Sequence, residues 1–465
     1  MSTYVGDSEL FLDQFGTPEM RAVFDDRMTV QKWLDTEVAL AAAQSELDMI
    51  PKRASQAIAK IGDANLYDLT SMKAEMDRTS HPIVPLIRAM EAKCDPKWSG
   101  YLHWGATTQD IMDTGQILQI KDAWALIKRD LATLTVNLSE LAREHRDTAM
   151  AGRTHGQQAL PLTFGYKVAI WLDEVRRHQT RMREAEPRVF RGQLAGAVGT
   201  MAAIGDQGIA VQAGLCERLG LGVPVICWHS ARDTMAEAAF IMSAIAGTMG
   251  KIANEVFLLS KTETAELEEP FPSGKVGSST MPQKRNPAIC EGVIAIARAA
   301  RYCMAPAIEG LVAETERDKV VLQTEREYVS RLHNLTHAAV IKIVSLTGGL
   351  QVKSDNMRRN LDITGGLLLS EAVMMALAPI IGRQEAHELI YQMAQRTAVE
   401  GGTLNEALRK SPEVTAILSE NQIEKLLDPT TYTGLSGVFV DRVLGVKVQS
   451  KMPKDLQKSD ILSGA

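Results

Sequence analysis

Cysteine is scarce in this sequence, and its five copies are scattered along the chain without a CxxC pair. This pattern argues against a disulfide framework and a cysteine-based zinc cluster, and it indicates a reducing compartment. No run approaches the roughly 20 apolar residues that a membrane-spanning helix needs. The segment Met1–Glu9 also lacks the basic and apolar regions of a signal peptide. We therefore expect a cytoplasmic protein with no membrane partner.

The sequence has no excess of basic residues. It contains 51 Lys and Arg against 57 Asp and Glu, which gives a formal net charge of −6. A chain of this charge has no broad positive field to hold nucleic acid or anionic lipid. An anionic substrate would have to be bound by local groups, so we expect no nucleic-acid partner.

Aromatic residues make up only 5% of the chain, whereas methionine occurs 21 times. This composition, with few alternating β-branched runs, favours helix over sheet. The clearest periodic stretch follows Asp113 and Thr114, which we interpret as caps. Apolar residues recur there at steps of three and four: Ile117, Ile120, Trp124, Ile127, Leu131, Leu134, Leu138 and Leu141. Such a stripe predicts one face of a helix of roughly seven turns.

Four further long helices are predicted after this one, at about 162–191, 234–267, 288–313 and 324–346. Together they predict an all-α fold with a central bundle of about five long helices. Residues 1–110 form shorter helices broken at Pro18, Pro51 and Pro82. Residues 351–465 are again divided by glycine pairs and proline. We therefore predict an N-terminal domain over 1–110, a bundle domain over 111–350 and a C-terminal domain over 351–465.

Four polar segments interrupt the helical pattern, at 79–82, 103–110, 152–157 and 275–287. The last segment, KVGSSTMPQKRNP, combines a flexible turn at Gly277 with hydroxyls, and Pro287 is suited to open the next helix. It places Ser278 six to eight residues before Lys284 and Asn286, close to a helix start that attracts anions. Composition alone leaves two interpretations open, an ordinary surface loop and a functional loop. Neither GxxxxGK[ST] nor GxGxxG occurs, so we discount a phosphate cradle.

The stretch GSSTMPQKRNP closely resembles the GSSxMPxKxNP loop of the fumarase/aspartase superfamily. HWGATTQD and GRTHGQQALPLTFGYK resemble the two carboxylate-binding segments of that family, in the usual order. The resemblance extends from about Phe15 to Leu444 and is greatest to the branch of adenylosuccinate lyase and carboxymuconate cycloisomerase. It implies a three-domain helical fold, a homotetramer with a core of 20 helices, and sites completed by segments from three subunits.

The resemblance also implies a set of site residues. The implied catalytic residues are Ser278, His155 and His81, and the implied substrate-binding residues are Thr107, Thr108, Gln109, Thr154, Ser279, Met281, Lys284, Asn286 and Arg232. Ser278 is similar to the catalytic base on a mobile loop, and Lys284 and Asn286 match the pair that grips a carboxylate. His155 matches an acid or anchor, and His81 matches a histidine that serves the leaving group.

The chemistry implied by this family needs positive charge and oriented dipoles. Removing a proton beside a carboxylate creates an aci-carboxylate dianion, which fixed donors such as Lys284 and Asn286 stabilise. Ser278 can act as a base only if loop N–H groups and a cation stabilise its alkoxide. The leaving amine takes a proton, for which histidine is a natural donor. We expect no metal and no organic cofactor.

The sequence departs from each known member of the branch. It lacks the Arg-Tyr pair that helps adenylosuccinate lyases hold phosphate, and Lys319-Val320-Val321 replaces their serine-rich stretch. It keeps His155 and His81, unlike bacterial cycloisomerases. The sequence therefore favours a C–N lyase that releases fumarate and an amine from a small N-substituted aspartate, of the aminopolycarboxylate or imino-disuccinate type. The alternatives are adenylosuccinate lyase, 3-carboxy-cis,cis-muconate cycloisomerase and a non-catalytic, crystallin-like structural protein.

An acidic cluster precedes the Ser278 loop, formed by Glu263, Glu266, Glu268 and Glu269. Four carboxylates so close together allow two interpretations, a metal site and a solvated face near a helix end. We expect the solvated face, because charged runs of this kind usually lie in water.

Overall fold

The computed structural model describes residues 5–446. Helix accounts for 67% of the structure and strand for 4%, which confirms the predicted all-α class. The first helices are α1 Leu12–Phe15, α2 Pro18–Phe24, α3 Asp26–Glu46, α4 Lys52–Lys60, α5 Leu69–Thr79 and α6 Ile83–Lys93. All are short except α3, which has 21 residues. Pro18, Pro51 and Pro82 all stand at helix starts, which confirms the predicted breaks.

Longer helices dominate the middle of the chain. They are α7 Thr108–Glu144, α8 Phe164–Val189, α9 Gly208–Leu219, α10 Asp233–Leu259, α11 Ala288–Tyr302, α12 Met304–Glu309 and α13 Lys319–Gly348. The apolar stripe from Ile117 to Leu141 is buried along its whole length, as predicted. Helix α10 ends eight residues before the predicted 267. Turns follow it up to Ala265, which has a φ of 50°, and then the short strand at Leu267–Glu268.

Helix α7 begins earlier than its apolar stripe indicated. The Asp110 carboxylate accepts the Thr107 backbone N–H at 2.9 Å and so caps the first turn. The interpretation of Asp113 and Thr114 as caps is therefore wrong. Both lie inside α7 and are buried, with Thr114 Oγ1 bonded to the backbone of Gln193 at 2.9 Å.

In the described part of the chain, the few strands form two antiparallel pairs. They are β1 Ala149–Thr154 with β2 Gln157–Thr163, and β3 Leu267–Glu268 with β4 Gln351–Val352. The final helices are α14 Ser354–Leu361, α15 Ser370–Ile381, α16 Arg383–Glu400, α17 Leu404–Lys410, α18 Pro412–Thr415, α19 Glu420–Leu426 and α20 Ser436–Leu444. Single 3₁₀ turns occur at Val5–Asp7, Ala64–Leu66, Ser99–Tyr101, Gly205–Gln207 and Leu367–Leu369.

The chain divides into two compact units, each made of three separate segments. The first consists of the chain up to Leu134, Val175–Glu255 and Ala288–Ser345. The second consists of Thr135–Glu174, Val256–Pro287 and the chain from Leu346 onward. The three-domain division at about 110 and 350 stays a prediction.

Each unit has its own apolar core. In the first unit, the long helices pack against one another. Trp124 Nε1 of α7 donates to His333 Nε2 of α13 at 3.2 Å. Thr336 Oγ1 donates to the Met242 carbonyl at 3.1 Å, between α13 and α10. In the second unit, α15 to α19 bury a cluster around Val373, Leu404 and Ile423. Within residues 5–446, every helix is too short or too polar to cross a membrane.

Candidate functional site

Three helix N-termini meet around His81 in the first unit. His81 Nδ1 accepts the backbone N–H of Val84 in the first turn of α6 at 3.3 Å. His81 Nε2 lies 3.2 Å from the hydroxyl of Thr108, the first residue of α7. Lys319, the first residue of α13, donates from Nζ to the Ser80 carbonyl at 3.2 Å. Each helix start contributes partial positive charge, so the surroundings of His81 favour an anion.

His81 is held in one tautomer and in its neutral form. Because Nδ1 accepts a backbone N–H, the hydrogen of the neutral ring lies on Nε2, which donates to Thr108. Burial lowers the pKa of His81, and the positive charges of Lys319 and His103 lower it further. His81 is therefore uncharged at neutral pH.

A buried ion pair supports the segment that carries Thr107 and Thr108. Asp110 accepts backbone N–H groups from Ala195 and Gly196 at 2.9 and 3.0 Å, and His229 Nε2 lies 2.9 Å from it. Burial acts to lower the pKa of His229, but the hydrogen bond and charge of Asp110, aided by Cys227, raise this pKa to about 9. His229 is thus charged at neutral pH, and the pair fixes the first turn of α7.

Arg232, predicted to bind substrate, is 2% exposed. Its guanidinium binds Asp113 at 3.0 and 3.1 Å and also pairs with Glu325. Gln109 joins the same network, because its Nε2 donates to Asp113 at 3.1 Å and to the His229 carbonyl at 2.9 Å. Both residues therefore stabilise the first turns of α7 through buried contacts. Their contact with substrate stays a prediction.

The second unit carries Thr154 and His155 at the tip of the β1–β2 hairpin. Thr154 pairs with Gln157, so His155 and Gly156 form a two-residue turn, with φ values of 53° and 78°. Positive φ at both positions is the requirement of a type I′ turn. The hairpin is fixed close to its tip, where Arg153 forms a two-pronged ion pair with Glu266 at 2.7 and 3.0 Å. Thr154 and His155 are exposed in the single chain.

Strained backbone marks three of the four polar segments. Ser80, His103 and His155 have φ values of 52°, 54° and 53°, in the left-handed region that non-glycine residues seldom occupy. Such conformations persist only where surrounding structure enforces them, and they concentrate at functional sites.

The fourth segment, 275–287, also lies in the second unit, and two of its backbone N–H groups donate to the Ser278 hydroxyl. Ser278 Oγ accepts the backbone N–H of Met281 at 3.1 Å and that of Thr280 at 3.4 Å. Ser279, Met281 and Lys284 are exposed, and Asn286 is half-buried just before α11. The structure thus brings Ser278, Lys284 and Asn286 into one short loop whose polar groups are open to a ligand.

The acidic cluster before this loop is not a solvated face. Glu266 and Glu269 are 0% and 5% exposed, and Glu268 is half-buried. Glu266 binds Arg153 and Asn360, whereas Glu268 and Glu269 bind cations on and beside the loop. Our expectation was wrong because these partners lie far away in sequence or within the loop itself. Only Glu263 is exposed among the four.

Two cations of α13 were not predicted as site residues. Lys319 is exposed beside Ser80 and pairs with no carboxylate in the described part of the chain. Arg326, two turns further along α13, lies with Nη2 3.7 Å from Met112 Sδ, and residues 5–446 offer it no carboxylate either. One signal was visible in the sequence, namely that Lys319 stands where adenylosuccinate lyases begin their serine-rich stretch.

One other cluster has the composition of a metal site. Ligand atoms of Glu19, Asp130 and His337 lie within 4.8 Å of one another. Arg129 binds both Glu19 and Asp130, at 2.6 and 2.8 Å, and His337 Nε2 lies 2.7 Å from Asp130. The Arg129 guanidinium of the protein itself already binds both carboxylates, so the arrangement is that of an ion-pair network.

Comparison with known proteins gives full-length matches. The sequence family described as Lyase matches residues 14–301, and the family described as the adenylosuccinate lyase C-terminus matches residues 366–443. N-acetyl-S-(2-succino)cysteine lyase of Enterococcus italicus is 40% identical over 444 residues, which cover 96% of this chain and 97% of that protein.

Two further proteins match with similar identity and coverage. The 3-carboxy-cis,cis-muconate cycloisomerase of Pseudomonas aeruginosa is 39% identical over 440 residues, covering 94% of this chain and 96% of the relative. The crystal structure of a fumarate lyase from Mesorhizobium sp. BNC1 is 40% identical with a TM-score of 0.87. It covers 93% of this chain and 98% of that one.

Proposed function

The chain belongs to the fumarase/aspartase superfamily, in the branch of adenylosuccinate lyases and carboxymuconate cycloisomerases, and from this membership we propose that it is a lyase that releases fumarate from a 2-substituted succinate. In the proposed β-elimination, a base removes a proton from the carbon beside one carboxylate. The electrons of that C–H bond form the double bond of fumarate. The substituent leaves the neighbouring carbon with the electron pair of its own bond.

The observation that supports this reaction best is the environment of Ser278. Two loop N–H groups point at its hydroxyl oxygen, at 3.1 and 3.4 Å. Donors aimed at an oxygen stabilise negative charge on it, so they reduce the free energy needed to form the serine alkoxide. In the proposed mechanism this alkoxide is the base, and closure of the loop brings it to the substrate.

Lys284 and Asn286 are proposed to bind the carboxylate beside the carbon that loses its proton. This carboxylate becomes the aci-carboxylate and carries two negative charges. An ammonium group and an amide N–H₂ supply a full charge and an oriented dipole at that point. Both side chains lie on the same loop as Ser278, so the base and the stabilising groups arrive together.

The substrate's other carboxylate is proposed to bind at the cradle of helix N-termini around His81. Thr107 and Thr108 offer hydroxyls there, and the α6, α7 and α13 starts contribute partial positive charge. The Asp110–His229 pair fixes the α7 start, so these donors need little rearrangement when substrate binds.

A neutral His81 suits a leaving group that needs no strong acid. A thiol has a pKa of about 8.5, so a thiolate leaves without prior protonation. An N-substituted aspartate is already an ammonium ion at neutral pH, and its amine leaves uncharged. In either case we propose that His81 donates a hydrogen bond from Nε2, with His155 as the acid or charge anchor.

The leaving atom is proposed to be sulfur, because the relative from Enterococcus italicus is named for a 2-succino thioether of cysteine and matches over its full length. Nitrogen, which the sequence favours, is the second candidate, through small N-substituted aspartates. An AMP leaving group is not favoured, since Lys319-Val320-Val321 replaces the serine-rich stretch of adenylosuccinate lyases. The cycloisomerase reaction is less well supported because His81 and His155 are both present.

Lys319 is proposed to bind an anionic group on the leaving group. Its Nζ lies beside the His81 segment and has no carboxylate partner within the described residues. A leaving group that carries a carboxylate, as in an amino acid, would supply that partner through a charge-assisted hydrogen bond of about 1.5–3 kcal/mol. We therefore propose small, carboxylate-bearing thiols or amines as leaving groups.

A panel of succinyl compounds tests this proposal. Fumarate formation is followed in its ultraviolet band with N-acetyl-S-(2-succino)cysteine, an N-(1,2-dicarboxyethyl) amino acid and adenylosuccinate. Lactone formation is followed with carboxymuconate. We expect the first two compounds to give the highest kcat/KM. In the variant Lys319→Met, kcat/KM for these two compounds should fall about tenfold relative to wild type. When the carboxylate of the leaving group is converted to an amide, the variant and wild type should differ little in kcat/KM. Fumarate release from adenylosuccinate alone, or lactone formation alone, would refute the proposal.

The assembly and the location are proposed from the resemblance. We propose a homotetramer with a core of 20 helices, in which segments of three subunits complete each site, working in the cytoplasm. The exposure of His155 and Lys284 in the single chain supports this assembly, because groups that bind substrate would be expected to lie in a more enclosed site.

A further inference from the structure

We propose that Glu268, Glu269 and Phe271 form a clamp that holds both ends of the loop 275–285 and so positions Ser278 and Lys284. The inference rests on the proposed function only for the roles of Ser278 and Lys284. The clamp itself is defined by contacts within the second unit.

The first end of the loop is held by Glu269. Lys275 Nζ lies 3.3 Å from Glu269 Oε2 and donates to the Pro270 carbonyl at 3.2 Å. Glu269 is 5% exposed, so its charge is largely shielded from water. Removing the partner of a buried charge is costly, so this pair resists separation more than a surface pair does.

The other end of the loop is held by Glu268. Arg285 forms an ion pair with Glu268 Oε1, and Lys353 Nζ lies 3.2 Å from Glu268 Oε2. Burial acts to raise the pKa of Glu268, but Arg285 and Lys353 together lower it below its ordinary value. Glu268 therefore stays ionised and links the loop to the residue that follows β4.

Phe271 lies between the two ends. The Arg285 guanidinium lies 4.9 Å from the centre of its ring, and Lys275 Nζ lies 5.5 Å from the same centre. Both distances are within the range of cation–π attraction. One aromatic ring thus contacts the cation at each end of the loop, which brings the two ends together.

The base of the clamp is well anchored, whereas the loop is not. Glu268 lies in β3, which pairs with β4, and the neighbouring Glu266 carbonyl accepts the Lys353 N–H at 2.9 Å. A cavity of about 320 Å³ lies between the base and the end of the loop, and it is lined by Glu268, Phe271 and Lys353 as well as by Arg285 and Asn286. Residues 279–285 of the loop are exposed and bury little apolar surface, so the end of the loop depends on the polar contacts of the clamp.

Holding both ends matters for the reaction because it limits the conformations of the loop 275–285. A loop with fixed ends has fewer conformations to lose when it closes on substrate. Releasing one end should therefore reduce the population of the closed loop and lower kcat, while substrate contacts made outside the loop remain.

Hydrogen exchange of the full chain tests the clamp without requiring turnover. In Glu268→Gln and in Glu269→Gln we expect the amides of residues 273–287 to exchange about tenfold faster. Kinetics with the best substrate of the panel should show kcat about tenfold lower and a much smaller change in KM. Glu263→Gln is the matched control, since Glu263 is an exposed carboxylate of the same segment, and it should change neither quantity.

Two double-mutant cycles separate a clamp from a general loss of stability. Glu268→Gln is combined with Arg285→Gln, and Glu269→Gln with Lys275→Gln. In a clamp, each double variant exchanges no faster than its single variants, because the pair is already broken. Unchanged exchange over 273–287 in both single Glu variants, or effects that simply add in both cycles, would overturn the inference. If exchange responds as expected but no succinyl compound yields fumarate, the clamp stands and the proposed function fails.

Discussion

Ser278 illustrates how a weak base is prepared by its own loop. The N–H groups of Thr280 and Met281 converge on its oxygen because the chain turns directly after it. The same turn carries Lys284 to the exposed side of the loop. A hydroxyl and a cation are thus set six residues apart on the same loop.

Lys284→Met should lower kcat about 100-fold, because the dianion loses its full positive charge, a loss of about 3 kcal/mol. Steady-state kinetics with the best substrate of the panel measure the effect. Lys261→Met, another exposed lysine of the second unit, is the control and should keep normal activity. Equal rates for the Lys284 variant and wild type would remove Lys284 from the mechanism.

His229 gives the first unit a stability that depends on pH. Its pKa of about 9 in the folded chain exceeds the value of about 6.5 expected when unfolded. The folded state therefore binds the proton more tightly. Its contribution, about 3 kcal/mol, is fully present below pH 6.5 and is lost as the pH rises through 9. Denaturant unfolding at several pH values should show this loss in wild type.

The variant His229→Gln should be less stable than wild type at pH 6, and its free energy of unfolding should change much less between pH 6.5 and 9. His387 is exposed, so the matched variant His387→Gln should keep the pH dependence of wild type. The same pH slope in wild type and in His229→Gln would show that the Asp110–His229 pair does not carry this stability.

Among individual residues, the sequence predicted those that stand in continuous motifs. Ser278, Lys284 and Asn286 lie within nine residues, so their chemistry is visible in one line of sequence. His229 supports Asp110 across a separation of 119 residues, and Lys319 meets Ser80 across 239. Neither pair has a local signal, since only the tertiary fold brings the partners together.

At the scale of elements, α7 is the helix on which the first half of the candidate site depends. Its apolar stripe was visible from the periodicity of isoleucine and leucine, because a long buried face repeats regularly. The first turn of α7 was not visible in this way. Asp110 caps that turn by accepting the Thr107 N–H and also accepts the distant Ala195 N–H, and apolar periodicity predicts neither hydrogen bond. The β1–β2 hairpin was missed for a similar reason, since its polar tip at His155 and Gly156 is typical of any loop.

Arg232→Leu should destabilise the first unit by about 3–5 kcal/mol, because it leaves the buried carboxylates of Asp113 and Glu325 without a counter-charge. Arg232→Lys should recover only part of the loss, since a single ammonium group does not reproduce the guanidinium fork. Chemical denaturation at constant pH measures both variants. A loss below about 1 kcal/mol for the leucine variant would show that the network does not brace α7.

At the scale of the whole molecule, the sequence predicted the all-α class and the family correctly, because motif and periodicity both extend over most of the chain. The grouping of segments into two compact units was not visible, because each unit combines three pieces that are interrupted by segments of the other unit. Boundaries placed along the sequence express only the order of elements, not which of them pack together.

The proposed tetramer makes a quantitative prediction about mixed assemblies. His81→Ala and Ser278→Ala should each be inactive alone. If His81 and Ser278 of one site come from different subunits, a 1:1 co-expressed mixture should recover about a quarter of the wild-type activity per site. Absence of any recovery in tetramers shown to contain both variants would place the two residues of each site in the same chain.

The most direct test of the proposed reaction follows fumarate by proton NMR with wild type and with Ser278→Ala, using the best substrate of the panel. Wild type should produce fumarate and the free thiol or amine in equal amounts. The Ser278→Ala variant should bind the substrate and keep its assembly mass, but lose turnover almost completely. If wild type yields no fumarate from any succinyl compound, or if the alanine variant keeps more than about a tenth of the activity, the proposed elimination with Ser278 as its base is contradicted.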